Sequence, residues 1–262
     1  SPNAIKAVIA GDIQFASVGS SASVQADLGG ANLVLVATGS PGLGFRLYAR
    51  PEIKSVADLK GKRIVESQIG SDPDFALKLA LPRNGLAYAD VQMVHVEGNN
   101  PAQLAAYKSS GAEAVILSPG SFAQAEKDFG AHMLSDIQAM KVPYNQAAMA
   151  GRRDWVDSHR DETMRFVRSY AEGIKFAVQN RARAVAIMKK YTKNDDDAVA
   201  GEAYDAYIQA AGGRLPYTTE DGVQSLLDLV AETTPAAKQH KPAEYIDNAF
   251  VDQLKAEGFT PA

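Results

Sequence analysis

The sequence predicts an α/β protein with two lobes, and three observations lead to this fold class. Two segments that lie 100 residues apart, Gly11–Ser21 and Gly111–Ser121, repeat the same order of elements. In each, a glycine ends one helix, a short apolar strand follows, and a Gly-Ser turn leads into the next helix. Short apolar runs alternate with helical patterns up to residue 143, as expected for sheets covered by helices. The remainder of the chain has mainly helical periodicity. The repeat alone would also suit any α/β protein, so it does not by itself establish two lobes around one ligand.

The first lobe begins with a helix, since Ser1 and Pro2 suit the N-cap and first-turn positions. Apolar runs then predict buried parallel strands, and a helix from Ser21 to Leu28 ends at two glycines. The expected strands are Phe15–Val18, Leu33–Ala37 and Phe45–Ala49, with a loop at Gly39–Gly44 before the last of them.

The middle of the chain, 47–143, is predicted to be a complete α/β unit. Ser55 and Asp58 cap a short helical turn, and Ser67–Pro73 is a polar turn before a helix. The predicted strands are 63–66, 91–96, 115–117 and 132–137, and the helices between them are 74–81, 100–109 and 121–128.

Composition excludes several classes of function. The formal net charge is −4 and the isoelectric point is near 5.6, which does not favour a nucleic-acid surface. The chain has no cysteine, and its four histidines are scattered, so no metal site, cofactor or catalytic set is predicted. No apolar run approaches the roughly 18 residues that span a membrane.

Polar turns at the carboxyl ends of the predicted strands are the candidate binding site, because ligands of open α/β sheets bind at that edge. A Gly-Ser turn also leaves N–H groups at a helix N-terminus, where negative charge is favoured. The candidates in these turns are Ser20, Ser21, Ser40, Gln68, Ser71 and Ser118. Tyr144 is a further candidate, because it lies near the return crossing between the lobes, where its ring could cover an apolar part of the ligand. Serine and glycine also occupy turns for local reasons, and Tyr144 could simply pack at the hinge between the lobes.

Three charged residues near these turns have alternative interpretations. Asp72 and Asp74 could be paired acids, but first-turn carboxylates that stabilise a helix N-terminus are the favoured interpretation. Arg46 flanks the first crossing between lobes and is a weaker candidate for ligand contact, with an ordinary solvated side chain as the alternative.

The stretch 55–64, which reads SVADLKGKRI, and the following polar turn and helix resemble the second lobe of type II periplasmic substrate-binding proteins. The segments 4–16, 111–116 and 242–251 resemble the NMT1/THI5-like subgroup of ABC-importer receptors for nitrate, sulfonates and taurine. In that family a strand, a helix and a second strand precede the equivalent of Ser1, so we expect that a longer form contains them.

This resemblance implies lobe one at 1–46 and 144–262, the latter part mostly helical, and lobe two at 47–143. It also implies a periplasmic or other extracytoplasmic, membrane-associated receptor. Such a receptor binds a small anion between its lobes and delivers it to an ABC permease, without a cofactor or a nucleic-acid partner. An enzyme on the same fold, of a decarboxylase or cofactor-biosynthesis type, and a truncated or degenerate ligand sensor are the alternatives.

Overall fold

The computed structural model describes residues 2–98 and 100–261, and its strands form two separate sheets. The three-stranded sheet has the order β1-β8-β2, and the five-stranded sheet has the order β5-β4-β6-β3-β7. The strands are β1 (Phe15–Val18), β2 (Leu33–Pro41), β3 (Arg46–Ala49), β4 (Arg63–Glu66), β5 (Gln92–His95), β6 (Ala114–Leu117), β7 (His132–Asp136) and β8 (Asn145–Arg152).

Helices cover both sheets, and the C-terminal part of the chain is mostly helical as predicted. The helices are α1 (Pro2–Ala10), α2 (Ser20–Leu28), α3 (Asp72–Arg83), α4 (Asn100–Ser110), α5 (Phe122–Phe129), α6 (Arg153–Ser158), α7 (Arg160–Gln179), α8 (Arg181–Thr192), α9 (Asp197–Ala211), α10 (Glu220–Val230) and α11 (Ala249–Ala256).

The three-stranded sheet differs from the sequence-based expectation. β1 and β2 are not paired as parallel neighbours, because β8 lies between them and is antiparallel to both. The sequence of β8 reads NQAAMAGR, whose small residues have weak strand propensity and give no clear alternation. Ala148 and Ala150 are nevertheless fully buried. The strand is therefore fixed by its tertiary position between two apolar neighbours.

β2 is longer than predicted and is buried on both faces. Leu33 and Leu35 join one apolar cluster, while Val34 and Val36 join a second cluster with α7 and α11. This two-sided burial explains the continuous apolar run in the sequence. The strand continues to Pro41, so Ser40 lies in a strand and not in the predicted loop.

The five-stranded sheet confirms the strands predicted for the middle unit. β4 pairs in parallel with β5 and β6, whereas β3 lies antiparallel between β6 and β7. The Ser55 turn is a short 3₁₀ helix in which Asp58 Oδ2 accepts from the backbone N–H groups of Lys54 and Ser55.

Two adjacent segments connect the sheets and give the fold its two lobes. The first connects β2 to β3, and the second leads from β7 to β8. They are joined where Gly42 N donates to Tyr144 O at 2.8 Å. Gly42 has a φ of 83°, a conformation that favours glycine. The proposed lobe limits after residues 46 and 143 stay predictions.

Replacement of Gly151 by alanine should test the packing of β8 on β1. A Cβ atom at Gly151 would lie 2.9 Å from the Phe15 ring, which is itself stacked on Phe166 with ring centroids 4.3 Å apart. We expect Gly151→Ala to lower the free energy of unfolding by about 1–3 kcal/mol, the usual effect of overpacking. Gly173→Ala is the matched control, because nothing lies within 4 Å of the added methyl on α7. Equal urea-unfolding midpoints for the two variants would contradict the described packing.

Candidate functional site

A cavity of about 300 Å³ lies at the carboxyl ends of β4, β5 and β6, where residues from both lobes meet. Its lining is mostly neutral and polar, which suits a small polar solute held by hydrogen bonds. The described lining residues are Phe45, Ser67, Gln68, Ser71, Asp72, Pro73, Gly98, Asn100, Gln103, Ser118, Gln146 and Tyr207.

The turn after β4 is held in place by the start of α3. Ser71 is the N-cap of α3, and its hydroxyl lies 2.8 Å from that of Ser67. Asp74 accepts a hydrogen bond of 2.8 Å from Gly70 N, which closes the turn from the other side. The turn is thereby fixed at the cavity wall, where Gln68 and Ser71 are both lining residues.

The turn after β6 is held by Asn100 at the start of α4. Asn100 Oδ1 accepts from Ser118 N at 3.3 Å and lies 3.1 Å from Ser118 Oγ, and its Nδ2 donates to Ser118 O at 2.9 Å. One amide therefore satisfies three polar groups of Ser118. This places an amide and a hydroxyl side by side in the cavity wall.

Lobe one contributes Gln146 from β8 and Tyr207 from α9. Gln146 Oε1 accepts from Gly44 N at 3.1 Å, so this amide is oriented by the first crossing segment. Burial is the largest cause that raises the pKa of Tyr207 to about 12. The hydrogen bond with Ser118 opposes this rise, and the charge of Asp72 adds to it. The Tyr207 phenol is therefore neutral at physiological pH.

Behind the cavity wall, a buried network joins the two lobes around Asp72. Ser21 Oγ donates to Asp72 Oδ1 at 2.7 Å, and the Tyr144 hydroxyl donates to the same oxygen. The Tyr144 hydroxyl in turn accepts from Ser21 N at 3.0 Å. Burial raises the pKa of Asp72 above its ordinary range despite these hydrogen bonds, and the pKa of Tyr144 is raised well above 10 by burial and by Asp72.

The structure brings three of the seven candidate residues into the cavity wall: Gln68, Ser71 and Ser118. Ser21 and Tyr144 lie in the buried network beside it, in contact with the lining residue Asp72. Ser20 is fully buried and Ser40 is buried in β2, and neither is among the described lining residues. Whether any of these residues binds a ligand stays a prediction.

The expectation that both Gly-Ser turns offer free N–H groups to a ligand is wrong for the second turn. Glu202 of α9 accepts hydrogen bonds from Gly120 N, Phe122 N and Ala123 N, at the N-terminus of α5. The turn before α2 is also covered on one side, because the Asp72 carboxylate fills the space next to Gly19. A Cβ atom at Gly19 would lie 1.8 Å from both carboxylate oxygens of Asp72.

The weaker candidate Arg46 is directed elsewhere. Its Nε lies 3.1 Å from Asp136 Oδ2, and its guanidinium lies 4.5 Å from the centroid of the Phe122 ring. No lysine or arginine is among the described lining residues. Residues 2–98 and 100–261 also contain no group of three or more histidines, aspartates or glutamates that could hold a metal ion.

Sequence reasoning missed several of the lining residues. Asp72 is a first-turn carboxylate of α3 as predicted, but the sequence does not show that it is only 7% exposed and bonds across the lobes. Gln103, Gln146 and Tyr207 lie inside a helix or strand, where polar residues give no local signal of a site. Asn100 could have been found, since it lies in the polar turn after a predicted strand and directly precedes a proline at the start of a predicted helix.

A second cavity, of about 450 Å³, lies between α2, α3 and α10 on another face. Leu28, Phe75 and Leu229 are part of its wall, together with Asp74 and Lys78, which are paired at 2.8 Å. It is larger, but it does not lie at the carboxyl edge of the parallel strands. The smaller cavity therefore remains the better candidate for the binding site.

Glu66 is a buried carboxyl at the end of β4, next to the turn that lines the cavity. It is fully buried, and His95 Nδ1 lies 2.9 Å from its Oε1. Burial is the largest cause that raises its pKa from 4.5 to about 8; nearby Asp74 raises it further, and Lys78 opposes the rise.

Comparison with known proteins gives the class of the molecule. The structure superimposes on the alkanesulfonate-binding protein SsuA of Xanthomonas axonopodis pv. citri, bound to MOPS, with a TM-score of 0.77 and 17% identity over 94% of this chain and 84% of that one. The desulfurization enzyme DSZB also shares the fold, with a TM-score of 0.69 and 16% identity over 94% of this chain and 86% of the enzyme. The fold is thus that of two-lobed periplasmic binding proteins, as predicted.

The family follows from the sequence. A Brucella abortus protein named "Putative binding protein" is 24% identical over 98% of this chain and 80% of its own length. The family model described as NMT1/THI5 like matches residues 1–184. The chain belongs to the NMT1/THI5-like family. No helix in 2–98 or 100–261 has the length and apolar character needed to cross a membrane.

Glu66 should make the protein less stable as the pH rises. Its folded pKa of about 8 lies above the unfolded value, so its stabilising effect is complete below about pH 4.5 and is lost as the pH rises through 8. We expect the wild type to lose at least ~1 kcal/mol more than Glu66→Gln between pH 6 and pH 9 in urea unfolding. Glu97→Gln, at an exposed position, should behave like the wild type. Parallel curves for the wild type and Glu66→Gln would show that Glu66 is already ionised at pH 6.

Proposed function

We propose that the protein is an extracytoplasmic solute receptor of an ABC importer, which binds a small anion between its lobes and delivers it to a membrane permease. The observation that carries this proposal is the cavity at the carboxyl edge of the five-stranded sheet, to which both lobes contribute neutral hydrogen-bonding side chains. Membership of the NMT1/THI5-like family and the name of the Brucella relative support a binding role. The periplasm or another extracytoplasmic compartment is the corresponding location.

The chemistry of the lining supports a small anion, either nitrate or a compact organic sulfonate or carboxylate. The amides of Gln68, Gln103 and Gln146 offer N–H donors, and a volume of about 300 Å³ admits a compact molecule. Asp72 would repel an anion in its ionised form. Burial already raises the pKa of Asp72, so an anion in the cavity would further favour the protonated carboxyl.

A non-catalytic role is also part of the proposal. The titratable side chains among the described lining residues are Asp72 and Tyr207, and neither is paired with a histidine or lysine in the wall. The chain has no cysteine to act as a nucleophile. These features favour a receptor over an enzyme, although DSZB shows that the fold can carry catalysis.

A thermal-shift series identifies the ligand class. Nitrate, short alkanesulfonates, small carboxylates and uncharged amides of matched size would each be added to the purified protein. A ligand at one hundred times its Kd should add about 2.7 kcal/mol to the free energy of unfolding. We expect stabilisation by at least one anion and none by the uncharged amides. Stabilisation by the amides alone would contradict an anion receptor.

Gln103→Ala should weaken binding of the most stabilising anion. Gln103 is 4% exposed and lines the cavity, so loss of its amide removes a donor from the wall. We expect Kd to rise about tenfold, the effect of one hydrogen bond to a charged group. Gln224→Ala is the matched control, since Gln224 lies exposed on α10. An unchanged Kd in Gln103→Ala, measured by calorimetry, would show that this side of the cavity does not bind the anion.

A further inference from the structure

The carboxylate of Glu202 caps a helix that belongs to the opposite sheet. Glu202 Oε1 accepts from Gly120 N at 2.6 Å and from Phe122 N at 3.1 Å, and Oε2 accepts from Ala123 N at 3.1 Å. These N–H groups lie at the N-terminus of α5, where a negative charge is favoured by the helix dipole. Three hydrogen bonds to one carboxylate make this a strong contact for a side chain near the surface.

The backbone of the turn after β6 is shaped for a close approach of α9. Gly120 has a φ of 94°, and a Cβ atom there would lie 3.2 Å from Ala203 Cβ and 3.5 Å from Val199 O. Any larger residue at position 120 would be strained and would push α9 away. Gly120 and Glu202 therefore belong to the same contact.

The other side of α9 is attached to the helices of lobe one. The Tyr204 hydroxyl donates to Ala177 O at 3.0 Å at the end of α7, and Arg181 of α8 lies 3.2 Å from Asp205. α9 also supplies Tyr207 to the cavity wall. α9 thus contributes to the cavity wall and is fixed to one lobe by packing and to the other by Glu202.

We propose that Glu202 is a positioning residue that holds α9 over the cleft as a lid by binding the N-terminus of α5. The contact uses groups of the protein alone, so it favours the closed arrangement before any solute arrives. Its role in solute release rests on the proposed receptor function, whereas its effect on the separation of the lobes does not.

The absence of native cysteines allows a direct measurement of the lobe separation. Spin labels would be placed on Asp128→Cys in α5 and Glu172→Cys in α7, which are both exposed positions on opposite sides of the cleft. Pulsed electron spin resonance would then give the distance distribution without any ligand. In Glu202→Gln and Glu202→Ala we expect the ratio of the population at longer distances to the population at shorter distances to rise about tenfold or more, since a carboxylate cap is lost.

Glu162→Gln on α7 is the matched control, because Glu162 pairs within its own helix, with Arg165 at 3.6 Å. It should leave the distribution unchanged. Circular dichroism and urea unfolding would show that the Glu202 variants remain folded. If both folded Glu202 variants keep the wild-type distance distribution, the lid assignment is wrong. Because no solute is present, this outcome is independent of whether the receptor function holds.

Discussion

The buried carboxylate of Asp72 is the contact on which the joined arrangement of the two lobes depends. It accepts hydroxyl donors from Ser21 on α2 and from Tyr144 on the return crossing, although it belongs to α3. Gly19 leaves the space that this carboxylate fills, because a Cβ there would overlap both oxygens. A buried polar group left without its partner costs about 1–3 kcal/mol, so the three side chains and the glycine form one unit.

Two carboxylates from opposite lobes thus lie at the two Gly-Ser turns. Asp72 of α3 lies against the turn before α2, and Glu202 of α9 caps α5. These reciprocal contacts occupy much of the polar surface that a bare helix N-terminus would offer to an anion. Among the described lining residues the side-chain donors are amides and hydroxyls, so a solute in the proposed site would be bound by neutral groups and not by helix ends.

Local signals in the sequence were sufficient for the five-stranded sheet and for Gln68, Ser71 and Ser118. A strand buried on both faces, such as β6, reads as an apolar run, and the polar turn after it marks the edge at which the cavity lies. β8 was not predictable in this way, because its alanines have no strong strand propensity and its position depends on β1 and β2. Glu202 contacts Gly120 from 82 residues away along the chain, and Tyr207 of the same helix lines the cavity, and no local pattern reports such contacts.

A crystal structure with the most stabilising compound of the anion series tests the location of the site most directly. We expect electron density for the compound in the cavity at the carboxyl ends of β4, β5 and β6, within hydrogen-bonding distance of Gln68, Gln103 or Gln146. Density in the larger cavity between α2, α3 and α10, with the cavity at the sheet edge filled only by water, would contradict a site at the carboxyl ends of these strands.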